Sequence, residues 1–128
     1  METDKDAKYI ANITTLFSDL FEHTEKYVQA SKAGFTAVEA QNPYQNTIEE
    51  WEKVIEEHKL PFVLINTPVL PNCDDVETLE EELHKNIQTT IDYSRVLKPE
   101  KIHIVLGDAK TIGEMLVSIK FLLFLFFN

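Results

Sequence analysis

Cysteine occurs once in this 128-residue chain and glycine three times. The lone Cys73 excludes an intramolecular disulfide framework. Its setting, Pro71-Asn72-Cys73-Asp74-Asp75, is acidic and has no histidine beside it, which excludes the electropositive surroundings that activate a thiol. The turn after the first apolar run, Asn12-Ile13-Thr14-Thr15-Leu16-Phe17, contains no glycine, so the Gly-rich phosphate turn of a dinucleotide fold is missing. Basic residues are also scarce. Twelve Lys+Arg against 22 Asp+Glu give a formal net charge of −10, a surface that repels phosphate backbones, and nucleic acid is not an expected partner. No basic-then-apolar opening with a small-residue cleavage site precedes the first structured run, and the expected location is cytoplasmic.

What the chain does contain is the apolar stock of an ordinary globular domain, 44% hydrophobic and 10% aromatic. Four short runs rich in β-branched and aromatic residues read as strands: Tyr9–Ile13, Phe35–Glu39, Phe62–Asn66 and Ile102–Leu106. A helical pattern separates each from the next. The first helix is predicted to follow Ser18 as N-cap, with Leu20, Phe21, Tyr27, Val28 and Ser31 near one face, and to end at Gly34. The second opens with Thr47 and Glu50 at capping-box spacing, packs through Ile48, Trp51, Val54 and Ile55, and ends before Pro61. The third carries Val76, Leu79, Leu83, Ile87, Ile91 and Ser94 at intervals of three and four and stops near Lys98-Pro99.

Strict alternation of strand and helix predicts an α/β fold with right-handed crossovers and a parallel sheet. An open doubly wound sheet and a segment of a closed barrel both fit. A complete barrel needs roughly 200 residues or more, so the barrel reading is of a partial barrel, the first four strands, in residues 1–110. Residues 111–128 form a divergent tail that from Met115 is apolar on every side. It is shorter than the about 20 residues of a bilayer span and is interrupted by Lys120, so a membrane is not an expected partner. Two bare sheet edges predict self-association.

In parallel α/β proteins ligands bind beyond the carboxyl ends of the strands. This chain places Asn12, Glu39, Asn66 and His103 there, one polar group per strand within otherwise apolar runs. Asn12 and Asn66 also suit turns, and His103 also suits a hydrogen-bonded core position. Glu39 is harder to explain as structure, because an inward carboxylate costs free energy unless it is paired, ligates a metal or faces a polar pocket. His23, His58 and His84 fall on helices near acidic residues, which predicts solvent exposure, and the four histidines show no metal-ligand spacing. No nucleophile elbow and no phosphate loop is present.

Five segments together resemble hydroxypyruvate isomerase, a family of the xylose isomerase-like TIM barrels. They are Tyr9-Ile10-Ala11-Asn12-Ile13-Thr14-Thr15-Leu16-Phe17, Gly34-Phe35-Thr36-Ala37-Val38-Glu39, Asn42-Pro43-Tyr44, Leu64-Ile65-Asn66-Thr67-Pro68 and Lys101-Ile102-His103-Ile104-Val105-Leu106-Gly107. Order and spacing agree over roughly residues 8–110. The resemblance implies interconversion of hydroxypyruvate and tartronate semialdehyde through an enediol, with two glutamates moving the proton and a divalent metal polarising the oxygens. It places those glutamates and the metal ligands on later strands, with no counterpart here, so this chain is expected to be inactive alone and to hold no cofactor. The partner it implies is a small hydroxy-keto acid, with Asn12, Glu39, Tyr44, Asn66 and His103 as supporting, substrate-binding residues. After Pro68 the chain departs from the family's longer glycine-containing loop. A non-catalytic half barrel acting as an interaction fragment, and an abasic-site endonuclease on the same scaffold, are the competing readings; the negative charge argues against the second.

Overall fold

The computed structural model describes residues 8–72 and 75–105; Cys73, Leu106 and the 111–128 tail lie outside the described residues. The strands are β1 (Ile10–Asn12), β2 (Ala37–Ala40), β3 (Phe62–Asn66) and β4 (Lys101–His103), and the helices are α1 (His23–Lys32), α2 (Ile48–His58) and α3 (Val76–Leu97), with a 3-10 turn at Pro43–Gln45. Compared with the sequence reading, β1 is shorter at both ends, β2 starts later and β4 is limited to three residues.

All four strands run parallel in the order β1-β2-β3-β4. This order decides between the two architectures that periodicity left open. Right-handed crossovers between consecutive neighbours put every helix on the same side of the sheet, whereas a doubly wound sheet reverses its order at a switch point. One face is accordingly buried under helices through Ala11, Ile13, Val38, Ala40 and Ile65. The opposite face carries Asn12, Glu39, Leu64, Asn66 and His103, linked by the strand register. The arrangement is that of four consecutive strands of a TIM barrel with the three helices that connect them.

A register slip aligns β3 with both demands. Val38 pairs with Phe62 and Glu39 with Leu64, so Val63 is passed over. Phe62 and Ile65 therefore both face the helices. There Phe62 stacks on Tyr27 (5.6 Å between ring centroids) and meets the edge of Trp51 at 5.4 Å. The Tyr27 hydroxyl donates to the Leu60 carbonyl at 2.8 Å and the Trp51 indole N–H to the Pro43 carbonyl at 2.8 Å, so both buried polar tips are satisfied.

Helix ends follow local chemistry where that chemistry is complete. Thr47 and Glu50 form the reciprocal capping box of α2, and Asp75 caps α3 by accepting from the Thr78 N–H. Gly34, at φ +88°, takes the left-handed turn after α1. Lys59 and Lys98 adopt left-handed conformations to close α2 and α3, just ahead of Pro61 and Pro99.

Two helix readings are corrected. Ser18 is not the N-cap of α1. Phe17 adopts φ 58° and its carbonyl accepts from the Leu20 N–H, so this stretch turns before a helix can start at His23, and Phe21 is left 87% exposed. In α3 the buried line runs through Leu79, Leu83, Asn86, Thr90 and Leu97, with Ile87 and Ile91 only half-buried. The spacings of four, three, four and seven average the ordinary helical repeat of about 3.6 residues per turn, and the three-residue step after Leu83 turns the polar Asn86 and Thr90 inward in place of Ile87 and Ile91.

Candidate functional site

The strand-end residues are joined in pairs. Asn12, last in β1, donates from Nδ2 to Glu39 Oε1 at 3.0 Å, while its Oδ1 accepts the Thr14 N–H at 3.0 Å. The second bond is an Asx turn, and it fixes which end of the amide faces Glu39. Thr14 in turn accepts the Gln41 N–H on its hydroxyl at 2.8 Å, tying the loop after β1 to the loop after β2. Ile13 N–H bonds the Glu39 carbonyl at 3.0 Å. Glu39 is half-buried and is in neither of the ion pairs among the described residues, His58–Glu57 and Arg95–Asp92. One of its oxygens is held and the other accepts no hydrogen bond among the described residues.

Asn66 and His103 form the second pair. They are register partners, with Asn66 Oδ1 3.3 Å from His103 Nδ1. Thr67 braces this pair: its N–H donates to the His103 carbonyl and its hydroxyl accepts the Val105 N–H, both at 2.9 Å. Asn66 lies two residues beyond Leu64, the β3 partner of Glu39, so the two pairs sit on the same face one pleat apart.

Tyr44 is placed differently. Its hydroxyl donates to the Asn66 carbonyl at 2.5 Å and lies 3.1 Å from Thr90 Oγ1, which donates to the Asn86 carbonyl at 2.7 Å. Asn86 Nδ2 donates to the Pro68 carbonyl. Burial pushes the Tyr44 phenol above its ordinary pKa, with the Thr90 hydroxyl partly opposing the rise. Tyr44 thus fixes the end of β3 against α3, with its hydroxyl already engaged.

Sequence reasoning missed three residues of this framework. Thr14 had a readable signal, since Asn-x-Thr after a strand is an Asx-turn pattern. Thr90 had none. Asn46 is the third: its Nδ2 donates to Glu22 at 2.7 Å and Glu50 at 3.2 Å, its Oδ1 accepts the Thr24 N–H of α1 at 3.4 Å, and its carbonyl accepts from Tyr93 at 2.8 Å. It caps from a distance a helix whose own N-cap, Glu22, makes no side-chain capping bond to that helix.

The expectation of three exposed helical histidines holds at His84 and is corrected at His58, which is half-buried, and at His23, which is only 5% exposed. The His23 Nδ1 is buried with no hydrogen-bond partner, and burial followed by the nearby Lys26 charge lowers its pKa. The α1 start lies under Asn46 and the Asn42 backbone, so His23 is covered from the second unit.

No group of three or more His, Cys, Asp or Glu side chains that could hold a metal comes together among the described residues. No described helix is long and apolar enough to cross a membrane.

No family model matches the chain. It is similar to proteins named putative hydroxypyruvate isomerase from Danio rerio (34% identity over 108 residues, 78% of this chain and 38% of that one) and Caenorhabditis elegans (31% over 112 residues, 82% and 42%). A 2-oxo-tetronate isomerase from Haemophilus influenzae is 28% identical over 104 residues, 77% of this chain and 40% of that protein. Among solved structures, the AP endonuclease, family 2, from Brucella melitensis shares the fold with a TM-score of 0.65 and 24% identity, over 77% of this chain and 40% of that one. The chain spans about two fifths of the length of these relatives.

Proposed function

We propose that this chain, similar over more than three quarters of its length to proteins named hydroxypyruvate isomerase, supplies one wall of a pocket for a small hydroxy-keto acid and does not catalyse its isomerisation by itself. The observation that carries the reading is the Asn12–Glu39 pair, 3.0 Å apart on the sheet face that the helices leave uncovered. A half-buried carboxylate at that place is held in one orientation by a side chain whose own orientation is fixed. That is the preorganisation a binding group needs.

Isomerisation through an enediol removes a proton from one carbon and returns it to the next. General acid–base catalysis by positioned groups contributes about 10²–10⁴-fold, and stabilising the enediolate contributes a further large term. Among the described residues the uncovered strand face carries a single carboxylate, Glu39, together with His103. A divalent metal, which the resemblance implies, finds no three-ligand set among the described residues of this wall. The roles given to Asn12, Glu39, Asn66 and His103 are substrate-holding, and that of Tyr44 is to hold Asn66.

The abasic-site endonuclease reading has fold likeness behind it, but a net charge of −10 opposes binding to a phosphate backbone. The test is an isomerisation assay on hydroxypyruvate. The purified chain is expected to give no turnover above buffer, with or without magnesium or manganese, while hydroxypyruvate shifts the NMR signals of Asn12 and His103. Turnover abolished by Glu39→Gln would make Glu39 a catalytic base and overturn the proposal.

A further inference from the structure

We infer that this wall takes the hydroxyl-bearing end of the ligand and leaves the acid end to another part of the pocket. The inference rests on the binding role proposed above and concerns which chemistry that role recognises. The Asn12 amide has no freedom to flip, because Oδ1 is held by the Thr14 N–H, so Nδ2 is the group facing Glu39 Oε1. Glu39 then presents Oε2, an ionised acceptor without a donor among the described residues. At the second pair, an Asn66 oxygen 3.3 Å from His103 Nδ1 is satisfied when that nitrogen carries the proton, and in the neutral ring this leaves Nε2 as a bare acceptor. The Asn66 amide keeps its N–H donors.

A hydroxyl group matches this set, because it donates to Glu39 Oε2 or His103 Nε2 and accepts from Asn66. A carboxylate only accepts, and it meets the Glu39 charge. The described cation on these strands, Lys101, shares the row Asn12–Glu39–Leu64–Lys101 but is separated from Glu39 by the whole of β3. At the usual strand spacing their backbones are roughly 10 Å apart, and no ion pair joins the two side chains.

The test compares two probes on the full chain by NMR, following the Asn12 side-chain amide and the His103 ring. Erythritol offers hydroxyls without a carboxylate; acetate offers a carboxylate without hydroxyls. Erythritol is expected to shift both signals saturably, with acetate at least about tenfold weaker, as one like-charge contact near a surface would make it. Glu39→Gln should narrow that ratio by relieving the repulsion. The wild-type comparison decides the matter even if that variant does not fold. Acetate binding as tightly as erythritol, and lost in Lys101→Ala, would assign the acid end to this wall and overturn the inference. Shifts caused by hydroxypyruvate but not by erythritol would overturn the inference and leave the binding role standing. Silence with all three probes would overturn both.

Discussion

Asn12 Nδ2 and Glu39 Oε1 lie 3.0 Å apart across 27 residues of sequence, at register positions that face each other on β1 and β2. Removing the amide should leave a half-buried carboxylate without its donor. Asn12→Ala is expected to lower stability by about 1–3 kcal/mol, the range for a buried polar group left unsatisfied. Urea unfolding of the two proteins measures it. A loss no larger than that of Thr15→Ala, in the neighbouring turn, would show that Asn12 does not support Glu39.

His23 links stability to pH. Its folded pKa is lowered, chiefly by burial and then by Lys26, so the unfolded state takes up the proton first. The contribution is fully present above the unfolded value of about 6.5 and is lost as pH falls through the folded value. Glu22 and the Asn42 backbone reduce the effect without reversing it. Wild type should lose more stability than His23→Gln between pH 7.5 and 5.5 in paired urea titrations. Parallel losses in the two proteins would contradict a buried neutral His23.

The opposite window belongs to Tyr27. Burial raises its phenol to about 12. Stability from this group is complete below about 10, the unfolded value, and falls as pH rises through about 12. Spectrophotometric titration should show one tyrosine ionising last, and Tyr27→Phe should remove that step. The same variant should cost about 1 kcal/mol through the lost hydrogen bond, whereas Trp51→Ala should cost about 3–5 kcal/mol.

Tyr44 and Thr90 should behave as one unit. Two hydroxyl protons serve three oxygen contacts, to Asn66, to Asn86 and between the hydroxyls themselves. A double-mutant cycle with Tyr44→Phe and Thr90→Val is expected to give a coupling of about 0.5–3 kcal/mol. Additive losses would mean that the two hydroxyls act separately.

Self-association is expected through the ends of the described sheet. β4 is exposed at all three residues, and Ile102 is 45% exposed although its partner Ile65 is buried. Sedimentation of the full chain should depend on concentration, and Ile102→Lys should shift it toward the monomer. A monomer at all concentrations would exclude this.

The alternation of strands and helices, the capping box of α2, the stop of α1 at Gly34 and of α2 and α3 before proline, and the polar residue at each strand end were legible in the sequence. These signals are local: a cap spans three residues, and a period shows itself within a few turns. What remained hidden was set by register and by packing between units. The strand order, with no reversal among the described strands, matched part of a barrel. A one-residue slip between β2 and β3 turned Phe62 onto Tyr27 and Trp51. The three-residue step from Leu83 to Asn86 in α3 put Thr90 on the buried side, where Tyr44 could reach it. His23 looked exposed on its own helix and is covered by the second unit. Asn12 and Glu39 could each be named from the sequence as strand-end polar residues, but their union could not. It needs two strands aligned to the residue and an amide turned by its own Asx bond, and only the folded sheet supplies both.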